Sequence, residues 1–99
     1  MAVIKSRPTQ QIRFYDRQGN YLPHDVDVQE AERARALIGT RKIRRGWPGM
    51  FTVESDDGGK YVVDLAELEC ECPQVAMRRV KVCKHLVACQ WIEDAVRDV

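Results

Sequence analysis

Between positions 70 and 85 the chain reads Cys-Glu-Cys, ten further residues, then Cys-Lys-His, and no other stretch restricts the possible folds so severely. The 99 residues hold four cysteines and two histidines, and three of those cysteines and one histidine fall in this pattern. Three sulfurs and an imidazole form a complete tetrahedral set for structural zinc, which takes thiolate at about 2.3 Å and ring nitrogen at about 2.0–2.1 Å and keeps no open position. Cys70 and Cys72 must then meet Cys83 and His85 in space, so the end of a strand is clamped to the start of a helix. Two other readings use the same residues: ordinary buried free cysteines, or a redox pair at Cys70 and Cys72. No signal peptide is apparent, so the expected compartment is reducing, where clustered cysteines more often bind metal than pair as disulfides.

Each ligand pair suits its element. Side chains alternate along an extended chain, so Leu68, Cys70 and Cys72 are expected on one face of a strand and Glu67, Glu69 and Glu71 on the other. Pro73 predicts a turn directly after. From Lys84 to Val96 there is no Gly or Pro, and His85, Cys89, Ile92 and Val96 share one helical face, which predicts a C-terminal helix opened by Cys83 and His85. Free N–H groups and the positive dipole end at that point favour the thiolate. Cys89, one turn past His85, reads as a small core hydrophobe rather than a further ligand.

Upstream, residues 1–10 have no period and read as a tail. Ile12 and Phe14, then Tyr21 and Leu22, flank Arg17-Gln18-Gly19-Asn20 and predict two short strands between Gln11 and Leu22. His24 falls in the loop after them, with a solvated or capping role. Asp27 with Glu30 forms a capping-box pattern, and Val28, Ala31, Ala34, Leu37 and Ile38 before Gly39 predict a helix over 28–38. A boundary or exposed loop is expected from Arg41 through Gly49. Phe51 and Val53 alternate into Asp56-Asp57-Gly58-Gly59, and Tyr61, Val63 and Leu65 alternate out, a hairpin. The fold class is a small α+β domain ordered β-β-α, then β-β-β-α. Residues 1–40 form a hairpin and helix that pack on a zinc-bound unit over 41–99. A chain this short buries only about 60–65% of its unfolded surface, so a metal staple matters to its stability.

The stretch FTVESDDGGKYVVDLAELECECPQVAMRRVKVCKHLVAC resembles a SWIM-type zinc finger, a β-β-α unit signed by CxC, a variable spacer and CxH. The resemblance also takes in the valine-rich hairpin with its Gly-containing turn, the strand from Tyr61 to Leu65, Pro73 and the helix opening from Cys83 to Ala88. It covers roughly residues 41–95 and leaves residues 1–40 unmatched. It implies one structural zinc on Cys70, Cys72, Cys83 and His85, no catalytic residues, and binding to DNA or to protein. Such modules usually sit within larger proteins, whereas this one is expected to stand nearly alone. The H-x-E…P-C-x-x-C deaminase pattern is absent, and all four metal positions are taken by protein, so an enzyme is not expected.

Sixteen Lys and Arg against fifteen Asp and Glu leave a formal +1, and whole-molecule charge declares no polyanionic partner. Three thiolates and Zn²⁺ would bring it to about zero. Local clusters carry the case for nucleic acid. Arg41, Lys42, Arg44 and Arg45 precede Trp47, and Arg78, Arg79, Lys81 and Lys84 lie in the spacer and helix start, as candidates to grip phosphates with Trp47 stacking a base. Against them stand Glu54, Asp56, Asp57, Asp64, Glu67, Glu69 and Glu71 with Lys60 alone between. This dipolar layout also suits a protein partner or head-to-tail self-association. The expected function is nucleic-acid binding, DNA first; the alternative is a protein-interaction adaptor whose partner docks on the acidic hairpin or on helix 28–38. No apolar run approaches the roughly 18 residues of a membrane span, and a soluble protein of the cytoplasm, or of the nucleus in a eukaryote, is expected.

Overall fold

Ile12 and Phe14, two residues apart, are buried on one face of the first hairpin, and Val26, opposite Gln10 on the partner strand, is buried on the same face. The structure, a computed structural model, describes residues 8–15, 18–40, 42–54, 58–76 and 82–97. Strands β1 (Thr9–Tyr15) and β2 (Tyr21–Asp27) pair antiparallel, with Phe14 opposite Leu22 and Ile12 opposite His24. Gly19, at φ 85°, turns the chain between them. β2 runs past the expected end at Leu22 and takes in Pro23 and His24. A two-stranded sheet has only edge strands, where a missing N–H is tolerated. His24 is therefore a strand residue, not a loop residue, half-buried and edge-on to Phe14 at 5.6 Å.

Helix α1 (Val28–Ile38) occupies the expected span, and the Asp27 carboxylate accepts from Gln29 N–H at 2.8 Å. Glu30 does not complete a capping box. Its carboxylate accepts instead from Lys84 N–H at 2.8 Å, far along the chain, and from Arg33 Nη1 at 2.7 Å. Ala31 and Ala34 are buried where α1 packs on the last helix, their small side chains allowing close approach.

The second sheet orders β3 (Ile43–Arg45), β4 (Met50–Glu54), β5 (Lys60–Asp64) and β6 (Glu69–Cys70), all antiparallel. β3 lies where a boundary or exposed loop was expected. Gly46 N–H donates to Met50 O at 2.9 Å and Met50 N–H to Trp47 O at 2.8 Å, so the Gly and Pro residues here make a hairpin turn rather than a break. Phe51, Val53, Val63 and Cys70 face inward, and Arg44, Thr52, Glu54, Lys60 and Val62 face outward. Leu68 is not in the strand with Cys70. It sits at φ 54° in a turn closed by its N–H on Leu65 O at 3.2 Å, because the chain must reverse there for β6 to pair with β5. Pro73 opens a one-turn helix, α2 (Pro73–Ala76), as its missing N–H permits at a first helical position.

Helix α3 (Lys84–Arg97) runs through the middle of the core. Leu86, Val87, Ala88 and Cys89 are fully buried, and one continuous cluster joins them to Ile12, Phe14, Val26, Phe51, Val53 and Val63. The expected apolar stripe fades at its end, where Val96 is 44% exposed. Two polar residues of α3 take the buried places instead. Gln90 accepts from Tyr15 N–H at 3.1 Å and donates to Asp94 at 2.8 Å. Glu93, 1% exposed, accepts from Arg45 Nε at 2.6 Å, Arg45 Nη2 at 3.1 Å and Gly49 N–H at 2.8 Å. Among the described residues no buried side-chain nitrogen or oxygen lacks a partner. No helix of the described residues is long and apolar enough to cross a membrane.

Candidate metal centre

Sheet pairing and a helix cap bring the Cys and His pairs together. Cys70 ends β6, opposite Val63 and facing inward with it; Cys72 follows at the next inward position, before α2. Cys83 immediately precedes α3, and its carbonyl accepts the first helical bond, from Val87 N–H at 3.2 Å. His85 is the second residue of that helix. All four side chains are buried, and their ligand atoms lie within 4.8 Å of one another. His85 Nδ1 stands 3.7 Å from Cys70 Sγ and 3.6 Å from Cys83 Sγ, so this nitrogen faces the sulfurs. The Tyr61 ring covers the imidazole at 5.5 Å between centroids. This group can hold one metal ion.

The cluster itself prepares one thiolate. The Cys83 thiol is lowered to about 4, chiefly by the hydrogen bond from Cys70; burial opposes this, and hydrogen bonds from His85 and Leu86 N–H assist. Cys70 is raised by that same bond with Cys83 and by burial, and Cys72 is raised mainly by burial. A metal would replace the protons that these two hold. Cys89 is fully buried and stands outside the four-residue group, its thiol raised by burial as expected of a core side chain.

Glu30 supports the centre from the N-terminal half, because Lys84, whose N–H it accepts, lies between Cys83 and His85. The bond holds the backbone between two ligands rather than a ligand side chain, so its loss costs less than the roughly 10–100-fold in metal binding that follows loss of a group bonded to a ligand itself. Glu30→Ala is expected to weaken metal binding several-fold, up to about 10-fold, in competition with a chromogenic chelator. The exposed Glu32→Ala on the same helix should leave it unchanged. Equal affinities for the two variants would rule out this role for Glu30.

The basic candidates separate. Arg44 is exposed and Lys42 half-exposed, but Arg45 turns the other way onto Glu93. It is a tie between sheet and helix, not a phosphate contact, because a buried carboxylate needs a cation beside it. Lys84 is half-buried at the start of α3. Arg41, Arg78, Arg79 and Lys81 lie outside the described residues. Trp47 is 79% exposed on the β3–β4 turn. Lys60, not singled out by its sequence neighbourhood, joins the group: it stands opposite Glu54 and lines a depression with Lys42, Arg44 and Thr52. The register around the Gly58-Gly59 turn is the signal that points to it. On the same sheet Asp64, Glu69 and Glu71 line a groove of about 420 Å³ with Met50, Val62 and Val75.

No protein-family model, curated protein or solved structure matches the chain, and its site is read from its own chemistry.

Proposed function

We propose that the protein is a zinc-stabilised module of the SWIM type that binds nucleic acid, DNA first, and performs no catalysis. The observation that carries the metal reading is the spacing of the ligand atoms. Tetrahedral zinc with ordinary bond lengths holds sulfur and nitrogen about 3.6 Å apart, and His85 Nδ1 lies 3.6 Å and 3.7 Å from two sulfurs. Three thiolates with one imidazole favour zinc over harder cations. Four protein donors leave no position for a substrate or an activated water, which argues against an enzyme. The SWIM reading is supported by the order of parts: a hairpin, a short strand ending in Cys70, a spacer, and a helix opened by Cys83 and His85. A centre of this kind suits a reducing compartment such as the cytoplasm.

The nucleic-acid reading is supported by Lys42 and Arg44 on the outer sheet face, by the exposed Trp47 nearby, and by the basic residues of the spacer sequence. Elemental analysis of protein purified without added metal should find one zinc per chain. Binding of a short labelled DNA duplex should weaken with salt, and Arg44→Ala should lower the slope by about one. Affinity and slope unchanged by Arg44→Ala and by Arg78→Ala with Arg79→Ala would sink the nucleic-acid reading.

The acidic groove favours a second reading, an adaptor that receives a Lys- or Arg-rich segment of a protein partner. Its three carboxylates suit the cationic heads, and Met50, Val62 and Val75 suit the aliphatic stems. Binding of an oligolysine peptide that Glu69→Lys leaves unchanged would count against it.

A further inference from the structure

We infer that the nucleic acid this module takes is single-stranded, its backbone seated between Lys42, Arg44 and Lys60 on the outer sheet face and a base stacked on Trp47. The inference rests on the nucleic-acid reading above and specifies its ligand.

Strand alternation puts Arg44, Thr52 and Val62 in one outward row, since Arg44 pairs with Thr52 and Thr52 with Val62. The neighbouring row holds Lys42, Glu54 and Lys60, because Glu54 faces Lys60 and its N–H donates to Lys42 O at 2.9 Å. Lys42, Arg44, Thr52, Glu54 and Lys60 line a depression of about 130 Å³. Among its described lining residues three cations stand against one carboxylate, and the Thr52 hydroxyl can donate to a phosphate oxygen.

Trp47 is the most exposed large apolar side chain among the described residues. Its turn is nonetheless held firmly, by the Gly46 and Met50 backbone bonds and by Gly49 N–H on the buried Glu93 carboxylate. A platform already in place loses less freedom on binding. It lies three residues beyond Arg44, no more than about 10 Å away and within reach of a few nucleotides. A base can stack on an indole only if it has left its neighbours, which a single strand allows without cost to pairing. The same sheet face ends in Asp64, Glu69 and Glu71. A duplex laid over four strands, roughly 15 Å across, would meet those carboxylates. A single strand that follows edge strand β3 from the depression to the β3–β4 turn stays two strands from Asp64 on β5 and three from Glu69 on β6.

The test uses zinc-loaded full chain carrying Trp91→Phe, so that fluorescence reports Trp47, the other tryptophan. Oligo-dT and oligo-U of about twelve nucleotides are compared with a DNA duplex of equal length. Single strands are expected to quench Trp47 and to bind more tightly than the duplex. Trp47→Ala, followed by a labelled strand, should weaken binding about 5- to 150-fold, and Lys60→Ala should lower the salt slope by about 0.7. Whichever of dT and U binds better names the source of the strand, and both outcomes support the surface. Duplex binding as tight as single-strand binding, with Trp47→Ala unchanged, overturns this inference and leaves the nucleic-acid reading standing. Failure of all three probes at low salt overturns both. Should Trp91→Phe fail to fold, the quench lost between the wild type and Trp47→Ala supplies the same readout.

Discussion

Strong chelator, or Cys72→Ser, will unfold at least the C-terminal half of the chain and abolish its cooperative melt. The centre joins the end of β6 to the start of α3, and α3 supplies Leu86, Val87, Ala88 and Cys89 to the middle of the core. Releasing that helix start exposes side chains that are now buried, Cys70, Cys72 and Cys83 among them. Apparent binding free energies of structural zinc, about 10–16 kcal/mol, rival the whole stability of a typical domain, about 5–15 kcal/mol. Far-ultraviolet circular dichroism and a melting curve check the expectation, and thiol titration should find about four more reactive thiols after chelation, the three of the centre and Cys89. A spectrum and a midpoint unmoved by chelator would contradict the structural role of the metal.

Glu93→Ala will destabilise the fold by about 1–3 kcal/mol, because it leaves the Gly49 N–H without its acceptor and removes a fully buried side chain between sheet and helix. Arg45 and Gly49 N–H would lose their acceptor, and the β3–β4 turn that carries Trp47 would lose its tie to α3. Burial pushes the Glu93 carboxyl up. The Arg45 and Gly49 hydrogen bonds, with the charges of Arg45 and Arg97, outweigh burial and hold it below its ordinary 4.5. A carboxyl lowered by folding contributes stability that is complete above its ordinary value and is lost as pH falls through its folded value. Denaturant midpoints of the wild type and Glu93→Gln should therefore differ by a constant amount from about pH 7 to about pH 5, and converge in more acid solution. Acid also strips metal from both proteins, so their difference is the quantity to read. A Glu93→Ala variant within about 1 kcal/mol of the wild type would show that the network adds little.

Local chemistry explains what the sequence made legible. Asp27 and Gly39 bound α1 because a cap and a stop act within one turn of their own residues. The β1–β2 and β4–β5 hairpins follow from alternation around Gly-containing turns. The convergence of Cys70, Cys72, Cys83 and His85 was legible for a related reason: each pair's spacing suits the element that carries it, and one ion's requirement for four donors forces the pairs together. The burial of Cys70 and Cys72 beside the exposed Glu69 and Glu71 follows from strand alternation alone.

The remaining features depend on partners distant in sequence. Glu30 reads as the capping-box partner of Asp27, and nothing marks Glu93, since helical spacing cannot say which carboxylate meets an N–H or a guanidinium 54 or 48 residues away. Arg44 and Arg45 are adjacent and alike in composition. Strand alternation sends one to solvent and the other onto Glu93, and only the pairing of β3 with β4 decides which. Leu68 left the strand because β6 had to reverse onto β5. Trp47, which could equally have packed on its hairpin, stands out from the fold. The sequence by itself determined α1, α3, the β1–β2 and β4–β5 hairpins with their apolar faces, and the Cys and His group that could hold a metal, because these depend on period, turn chemistry and valence. Tertiary structure alone decided which charges serve as internal ties and which face outward, because that depends on what the fold places opposite each of them.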